Sequence, residues 1–417
     1  MQIHINDLID KNVVPYAADA IGVYNSNNEY IGKLLVSKCK PVYDERLYRV
    51  GLMSDTHYKD NDDDSDPSSY IDDGSQYAND FINALQIFDN KEDVEFCCVA
   101  GDITSDNIWH AINFRYQLDM YAPNTPVYSC KGNHDNAASY NNNEEWVRCV
   151  SEFDDGKEKI YSPYGDGTSF YFIKTLLNGK KDVYIFLNVD YNNSSSKASD
   201  TDTDSNISDE ERDHQYYNPD VLNWFSDLLE TYKHDRCFVF THLFFRQKAG
   251  NNHNYDYYRY YSNGRSRKYN LRGHQFLFLN ELNNKYKNSI WFSGHTHYCW
   301  YWQKYDNIIN VCNHDSYFIE GSDENGIGVG NMVMGDYRCE SAYNVHLPSL
   351  VKPLQLSSGY STDNERSEGA IMDVYNDYVD IRGIVFKTSD SDEYINKYYP
   401  IATFRIPVGG KNTKQIP

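Results

Sequence analysis

From Leu47 onward the chain repeats one pattern, a short apolar run that ends abruptly in small polar residues. Tyr48–Met53 runs into Ser54-Asp55, Val94–Ala100 into Gly101-Asp102, and Pro126–Cys130 into Lys131-Gly132. Val183–Val189 precedes Asp190, Cys237–Phe240 precedes Thr241-His242, and Ser289–Phe292 precedes Ser293-Gly294. Apolar runs closed by turn residues predict buried strands. Between several of them apolar positions recur at helical spacing, over about Ser75–Phe88, Ile108–Tyr121, Pro219–Tyr232 and His274–Tyr286. Strands alternating with helices predict an α/β layered core whose functional groups gather at the carboxyl ends of the strands. After Tyr343 the pattern turns strand-rich, as in Ile371–Tyr375, Tyr378–Phe386 and Ile401–Ile406.

The opening residues follow another plan. Ala20–Tyr24 and Tyr30–Leu35 read as strands around a polar turn, Asn25–Glu29. The expected organisation is a β-hairpin appendage over 1–45, a core over 46–320, and C-terminal strands over 321–417 that complete the sandwich. Two acidic clusters interrupt the core. Asp60–Asp73 reads as a solvated loop. Asp200, Asp202, Asp204 and Glu211 fall at the spacing of a calcium-binding loop, but Ser205 stands where its turn needs Gly. The favoured reading is a helix start, with Ser208 as N-cap and Glu211 closing a capping box.

Composition narrows the partners. Against 39 Lys and Arg stand 61 Asp and Glu, a net charge of −22 over 417 residues. A surface this acidic repels long polyanions, which disfavours long nucleic acid as a partner. No apolar run approaches the ~18–20 residues of a membrane helix, and no basic stretch followed by an apolar core marks a secretory leader. Nine cysteines, an odd number, point to reduced thiols, with Cys97 and Cys98 as core residues.

Five polar blocks close strand-like runs: Asp55-Thr56-His57, Gly101-Asp102, Gly132-Asn133-His134-Asp135, Thr241-His242 and Gly294-His295-Thr296-His297. Each alone is a weak signal. Their shared position at strand ends lets them converge on one edge of the sheets. In Asp-x-His and His-x-His, alternate side chains of an extended segment reach the same ion. The pooled nitrogen and oxygen donors suit zinc, manganese or iron rather than calcium. They are too many for one ion and suit a pair bridged by a carboxylate, about 3.5–4 Å apart.

In these blocks and their order the chain resembles the calcineurin-like metallophosphoesterases, whose signature is Asp-x-His, Gly-Asp, Gly-Asn-His-(Asp/Glu), a separate His and Gly-His-x-His. The resemblance spans Asp55 to His297. It implies a two-sheet αββα sandwich and two divalent or trivalent metal ions, drawn from Mn, Zn, Fe and Ni. It also implies hydrolysis of a phosphomonoester or phosphodiester by a metal-bridging hydroxide. Carried over block by block, Asp55, His57 and His297 would hold one metal, Asn133, His242 and His295 the other, and Asp102 would bridge them. His134 would stabilise charge or protonate the leaving oxygen, with Asp135 orienting its ring. One departure follows Gly101-Asp102, where Ile103–Asn107 lacks a glycine common in relatives.

The implied substrate is a phosphorylated small molecule or a phosphate-containing polymer. Within the stretch between His242 and Gly294, the segment from Arg246 to Arg272 reverses the charge: Arg246, Lys248, Arg259, Arg265, Arg267, Lys268 and Arg272 stand against the single acid Asp256, with tyrosines interleaved. Arg246, Arg265, Arg267 and Lys268 are therefore candidate substrate contacts. The alternative function is a virion- or surface-associated binding component whose metal core serves recognition, motivated by the appendage. Without a leader or membrane segment, the expected setting is the cytoplasm or a phage virion.

Overall fold

In the computed structural model the chain divides into two compact units, Met1–Arg46 and Leu47–Pro417. The structure describes residues 20–24, 30–35, 46–58, 76–90, 92–104, 108–132, 134–135, 143–164, 167–188, 190–191, 215–243, 258–260, 266–268, 273–295, 297, 300, 332–334, 342–350, 354–355, 359–360, 367–386 and 398–407. In the first unit, β1 (Ala20–Tyr24) and β2 (Tyr30–Leu35) pair antiparallel, with a register shift at Val23/Tyr24. They are the two strands marked by the sequence.

In chain order the second unit continues with β3 (Tyr48–Met53), β4 (Phe96–Val99), β5 (Val127–Ser129), β6 (Ile160–Tyr161), β7 (Phe170–Thr175), β8 (Lys181–Leu187) and β9 (Asp190–Tyr191). Then come β10 (Gln215–Tyr216), β11 (Arg236–Thr241), β12 (Tyr258–Tyr260), β13 (Ser266–Lys268), β14 (Ser289–Ser293), β15 (Met332–Met334) and β16 (Tyr343–His346). The last are β17 (Leu354–Gln355), β18 (Gly359–Tyr360), β19 (Ser367–Val374), β20 (Tyr378–Phe386) and β21 (Tyr398–Pro407). Two sheets dominate. One has seven strands in the order β15-β21-β20-β19-β3-β4-β5, the other six in the order β16-β14-β11-β8-β7-β6.

Period-two alternation explains the layering. Tyr48, Val50 and Leu52 of β3 turn toward the second sheet, meeting Tyr184, Phe186, Phe238 and Phe240 in one buried core. Met53 and the β4 residues Cys97 and Val99 turn outward and pack on helices Gln76–Asn90, Ile108–Tyr121 and Asn143–Val150. Val183, Ile185, Cys237 and Val239 form the outer face of the six-stranded sheet, under helices Pro219–Thr231 and Gly273–Lys285. The result is the αββα sandwich expected from the resemblance. The late strands divide: β16 edges the six-stranded sheet, while β19, β20 and β21 extend the seven-stranded one from β3.

Local signals agree with this packing. Asn218 caps helix Pro219–Thr231 by accepting from Asp220 N, Pro219 opens it, and Val221, Leu222, Phe225, Leu228 and Leu229 form its buried stripe. Removing such a cap costs about 1 kcal/mol. The aromatic richness goes into the inter-sheet core. Phe170, Phe186, Phe240 and Phe292 stack across four strands at centroid spacings of 4.7, 5.0 and 4.7 Å. All five cysteines among the described residues, Cys97 and Cys98 included, are buried and free. No helix among the described residues is long and apolar enough to cross a membrane.

Candidate dinuclear metal centre

The carboxyl ends of β3, β4, β11 and β14 all reach one edge, and the polar blocks stand there. Two positions beyond Phe186, Phe240 and Phe292 of the aromatic stack come Asn188, His242 and Gly294. The chain turns sharply at each block. Among the described residues, Asp55, His57, Asp93, Asp102, His295 and His297 are the non-glycines with positive φ, between 41° and 76°. Only Asp93 lies outside the blocks. A left-handed backbone costs a non-glycine about 1–2 kcal/mol, so the site stores strain that its surroundings hold in place.

Two glycines permit the close approach. A Cβ on Gly132 would overlap Asp102 Oδ1, and one on Gly294 would overlap Ser54 Oγ. No larger residue fits at either position without moving a candidate ligand or its neighbour.

Four side chains, Asp55, His57, Asp102 and His297, bring donor atoms within 4.8 Å of one another, and so do Asp102, His242 and His295. Asp102 belongs to both groups. His57 Nε2 lies 3.0 Å from His297 Nε2, and His242 Nε2 lies 3.1 Å from His295 Nδ1. Asp102 Oδ2 is 3.1 Å from His242 Nε2 and 3.7 Å from His57 Nε2, while Asp55 Oδ1 is 3.4 Å from His297 Nε2. Imidazole nitrogens aimed at each other and at carboxylates form the donor set that a pair of cations fits. The Asp/His cluster is thus suited to a dinuclear metal site.

Electrostatics follow from this crowding. Burial opposes ionisation of Asp102, but the imidazoles of His242, His134 and His57 outweigh it and hold the carboxyl well below its usual range. Burial also opposes charge on His242, yet Asp102 lifts it to about 9. Burial, then repulsion from His242, pushes His295 well below its ordinary value. Burial pushes His346 down to about 3.

Other candidates fall into place unevenly. His134 donates its backbone N–H to Asp102 Oδ1 at 2.9 Å, and its ring meets that of His57 edge-on at 4.7 Å. Asp135, expected to orient that ring, also accepts from the backbone of two loops. Its Oδ1 accepts from Thr104 N and Thr104 Oγ1, its Oδ2 from Ile103 N and Gly132 N. Those four donors match the four lone-pair positions of a carboxylate, so Asp135 ties the Asp102 loop to the Gly132 loop. Asn133, Arg246 and Arg265 lie outside the described residues, as do Asp200–Glu211 and Asp60–Asp73. Arg267 and Lys268 fall in β13, which pairs antiparallel with β12 and sets Arg267 opposite Arg259.

The structure also brings in residues that carry no motif. Ser54 Oγ donates to Asp55 Oδ2 at 2.6 Å. Asn188 Oδ1 accepts from Lys131 N at 2.5 Å, steadying the approach to Gly132. The only sequence signal for Asn188 was its place at the end of an apolar run.

Residues 48–299, more than half of the chain, match the calcineurin-like phosphoesterase family. No curated protein matched. Among solved structures, a dimetal phosphatase from Danio rerio aligns over 88% of this chain and 100% of its own, with 12% identity and a TM-score of 0.47. Vacuolar protein sorting 29 from Cryptosporidium parvum aligns over 87% and 100%, with 9% identity and a TM-score of 0.29.

Proposed function

Given that the chain belongs to the calcineurin-like phosphoesterase family and is a metal-dependent phosphoesterase, we propose that its substrate is a small phosphate ester or a phosphate-containing polymer, hydrolysed at the edge where the two Asp/His groups share Asp102. That shared carboxylate is the observation that carries the reading. In it, Asp55, His57 and His297 hold one metal; Asn133, His242 and His295 hold the other; Asp102 sets their spacing. When bound, the pair supplies neutralisation of the phosphoryl oxygens and activation of the attacking water.

The protein's own groups do the rest. His134, fastened through its backbone to Asp102, stabilises charge on the phosphoryl group and delivers a proton to the leaving oxygen. Asp135 keeps the Asp102 and Gly132 loops in fixed relation, so His134 and the shared carboxylate move as one body. Arg246, Arg265, Arg267 and Lys268 receive a second anionic group of the substrate.

The test is metal analysis of the purified protein, then a panel of chromogenic phosphomonoesters and phosphodiesters with manganese, nickel, zinc or iron. Two metals per chain with turnover on either ester class is expected. Full loading with no turnover on any ester would overturn the reading. Replacing Arg265, Arg267 and Lys268 together with Ala should raise KM for the extended substrate several-fold and spare a small ester.

A further inference from the structure

The loop that carries His295 and His297 is gripped from behind by residues that occupy no ligand position. His346 ends β16, is buried, and has Nε2 3.0 Å from Gly294 O. A carbonyl can only accept, so that nitrogen carries the proton and donates. Trp300, just past the loop, donates its backbone N–H to Glu368 Oε2 at 2.6 Å and its indole N–H to His346 O at 2.7 Å. Glu368 belongs to β19 of the seven-stranded sheet and His346 to β16 of the six-stranded one. The Gly294 end of the loop is therefore tied to β16, and the Trp300 end to both β16 and β19.

The chain after His346 continues the grip. Leu347 N donates to Ser293 O at 2.7 Å, and Leu350 N donates to Ser54 O at 3.0 Å. Ser54 in turn supports Asp55. One segment thus braces two of the strand ends that supply candidate ligands. It comes from the part of the chain beyond residue 299, where the family match stops.

We propose that His346, secured by Trp300 and Glu368, is a positioning residue for the metal centre, holding the backbone of Gly294 so that His295 and His297 face their ions before any ion arrives. The proposal rests on the dinuclear reading above. Two facts make the brace functional rather than general packing. His295 and His297 both have left-handed backbones, which relax once the flanking carbonyl is released. Groups one layer behind metal ligands, moreover, tune affinity through orientation alone.

The experiment is calorimetric titration of manganese into the metal-stripped full-length protein. His346→Phe keeps a ring of similar volume but has no donor for Gly294 O. It should bind manganese roughly 10–100-fold more weakly. His346→Gln, whose amide can reach Gly294 O, should recover to within about 3-fold of the original affinity. The melting temperatures of the two metal-free variants should not follow this split. Unchanged affinity in His346→Phe, or equal losses in both variants, would overturn the proposal. If His346→Phe does not fold, His346→Asn, too short to reach Gly294 O, is read in the same way. A failure of the unsubstituted protein to take up manganese, zinc or iron would instead overturn the dinuclear reading.

Discussion

At the amino ends of β3, β8 and β11, Tyr48, Asp182 and Arg236 bury charge between the sheets; at the carboxyl ends of β3 and β11, Asp55 and His242 do so with opposite logic. Arg236 grips Asp182 with two bonds, Nε to Oδ1 at 2.7 Å and Nη2 to Oδ2 at 2.5 Å. Tyr48 OH adds a third bond to Asp182 Oδ2 at 2.5 Å, and Arg236 Nη1 donates to Tyr375 O at 2.6 Å. Donors meet acceptors and cation meets anion. The other edge sets imidazole nitrogen against imidazole nitrogen at 3.0 and 3.1 Å, around the Asp102 carboxylate. One edge is held by bonds between its own opposite charges, and the other gathers the donor set suited to cations. A buried cluster marks a candidate functional edge when imidazoles crowd one another around a shared carboxylate in this way.

The largest expected effect comes from removing the charge shared by the two groups. Asp102→Asn should weaken both metals and reduce turnover by at least ~10³-fold, as read by metal content and steady-state kinetics. Two fully bound metals with near-normal turnover would erase the distinction between the edges. Next comes the edge of paired charges. Arg236→Met leaves Asp182 buried and uncompensated, which should cost about 3–5 kcal/mol in urea unfolding and leave metal stoichiometry alone. Parallel loss of metal would mean that the edges are not independent.

His134→Ala should keep both metals and lower turnover by at least ~10²-fold, with smaller losses on esters whose leaving groups need no proton. Loss of a metal would make His134 a ligand. The smallest effect concerns protons. His242 sits at about 9 in the metal-free protein, so at pH 7 it is protonated and a metal must displace that proton. Metal uptake should release a proton at pH 7 and progressively less as the pH rises past 9. Because this folded value lies above the unfolded one, the ion pair of His242 with Asp102 stabilises the metal-free protein fully at pH 6 and fades as pH climbs through 9. Titration in buffers of different ionisation enthalpy reads the release, and a release independent of pH over this range would refute it.

The chemistry-bearing blocks were legible because each sets metal-ligating residue types at a strand end, and Asp55, His57, Asp102, His242, His295 and His297 all converge, although His295 and His297, read as alternating toward one ion, fall in different groups. Helix Ile108–Tyr121 and strand Tyr378–Phe386 run between the bounds expected from the sequence. Helix Asn143–Val150 was not legible, since its amphipathic pattern lasts only eight residues, about two turns, too short to be told from a loop. His346 and Glu368 were invisible for another reason. A lone His or Glu within a strand has no local signature, and its meaning comes only from contacts 52 and 68 residues away in the chain. Asp135 was visible as part of a block, but its partners Ile103 and Thr104 depend on how two loops meet.

The order of the seven-stranded sheet also has a consequence in time. Gly51 of β3 pairs with Cys97 on one side and Ile371 on the other. The second partner lies 320 positions downstream (371 − 51). At about 5–20 residues/s of synthesis, it follows roughly 16–64 s later. During that interval one edge of β3 has no strand beside it, and a bare edge invites wrong pairing. A fragment that stops at residue 299 would keep this edge bare permanently and should aggregate, whereas a chain extending through Pro407 should not. The shortest stretch able to fold is thus longer than the stretch that identifies the family, because the middle strand of its sheet is made only after that stretch has ended.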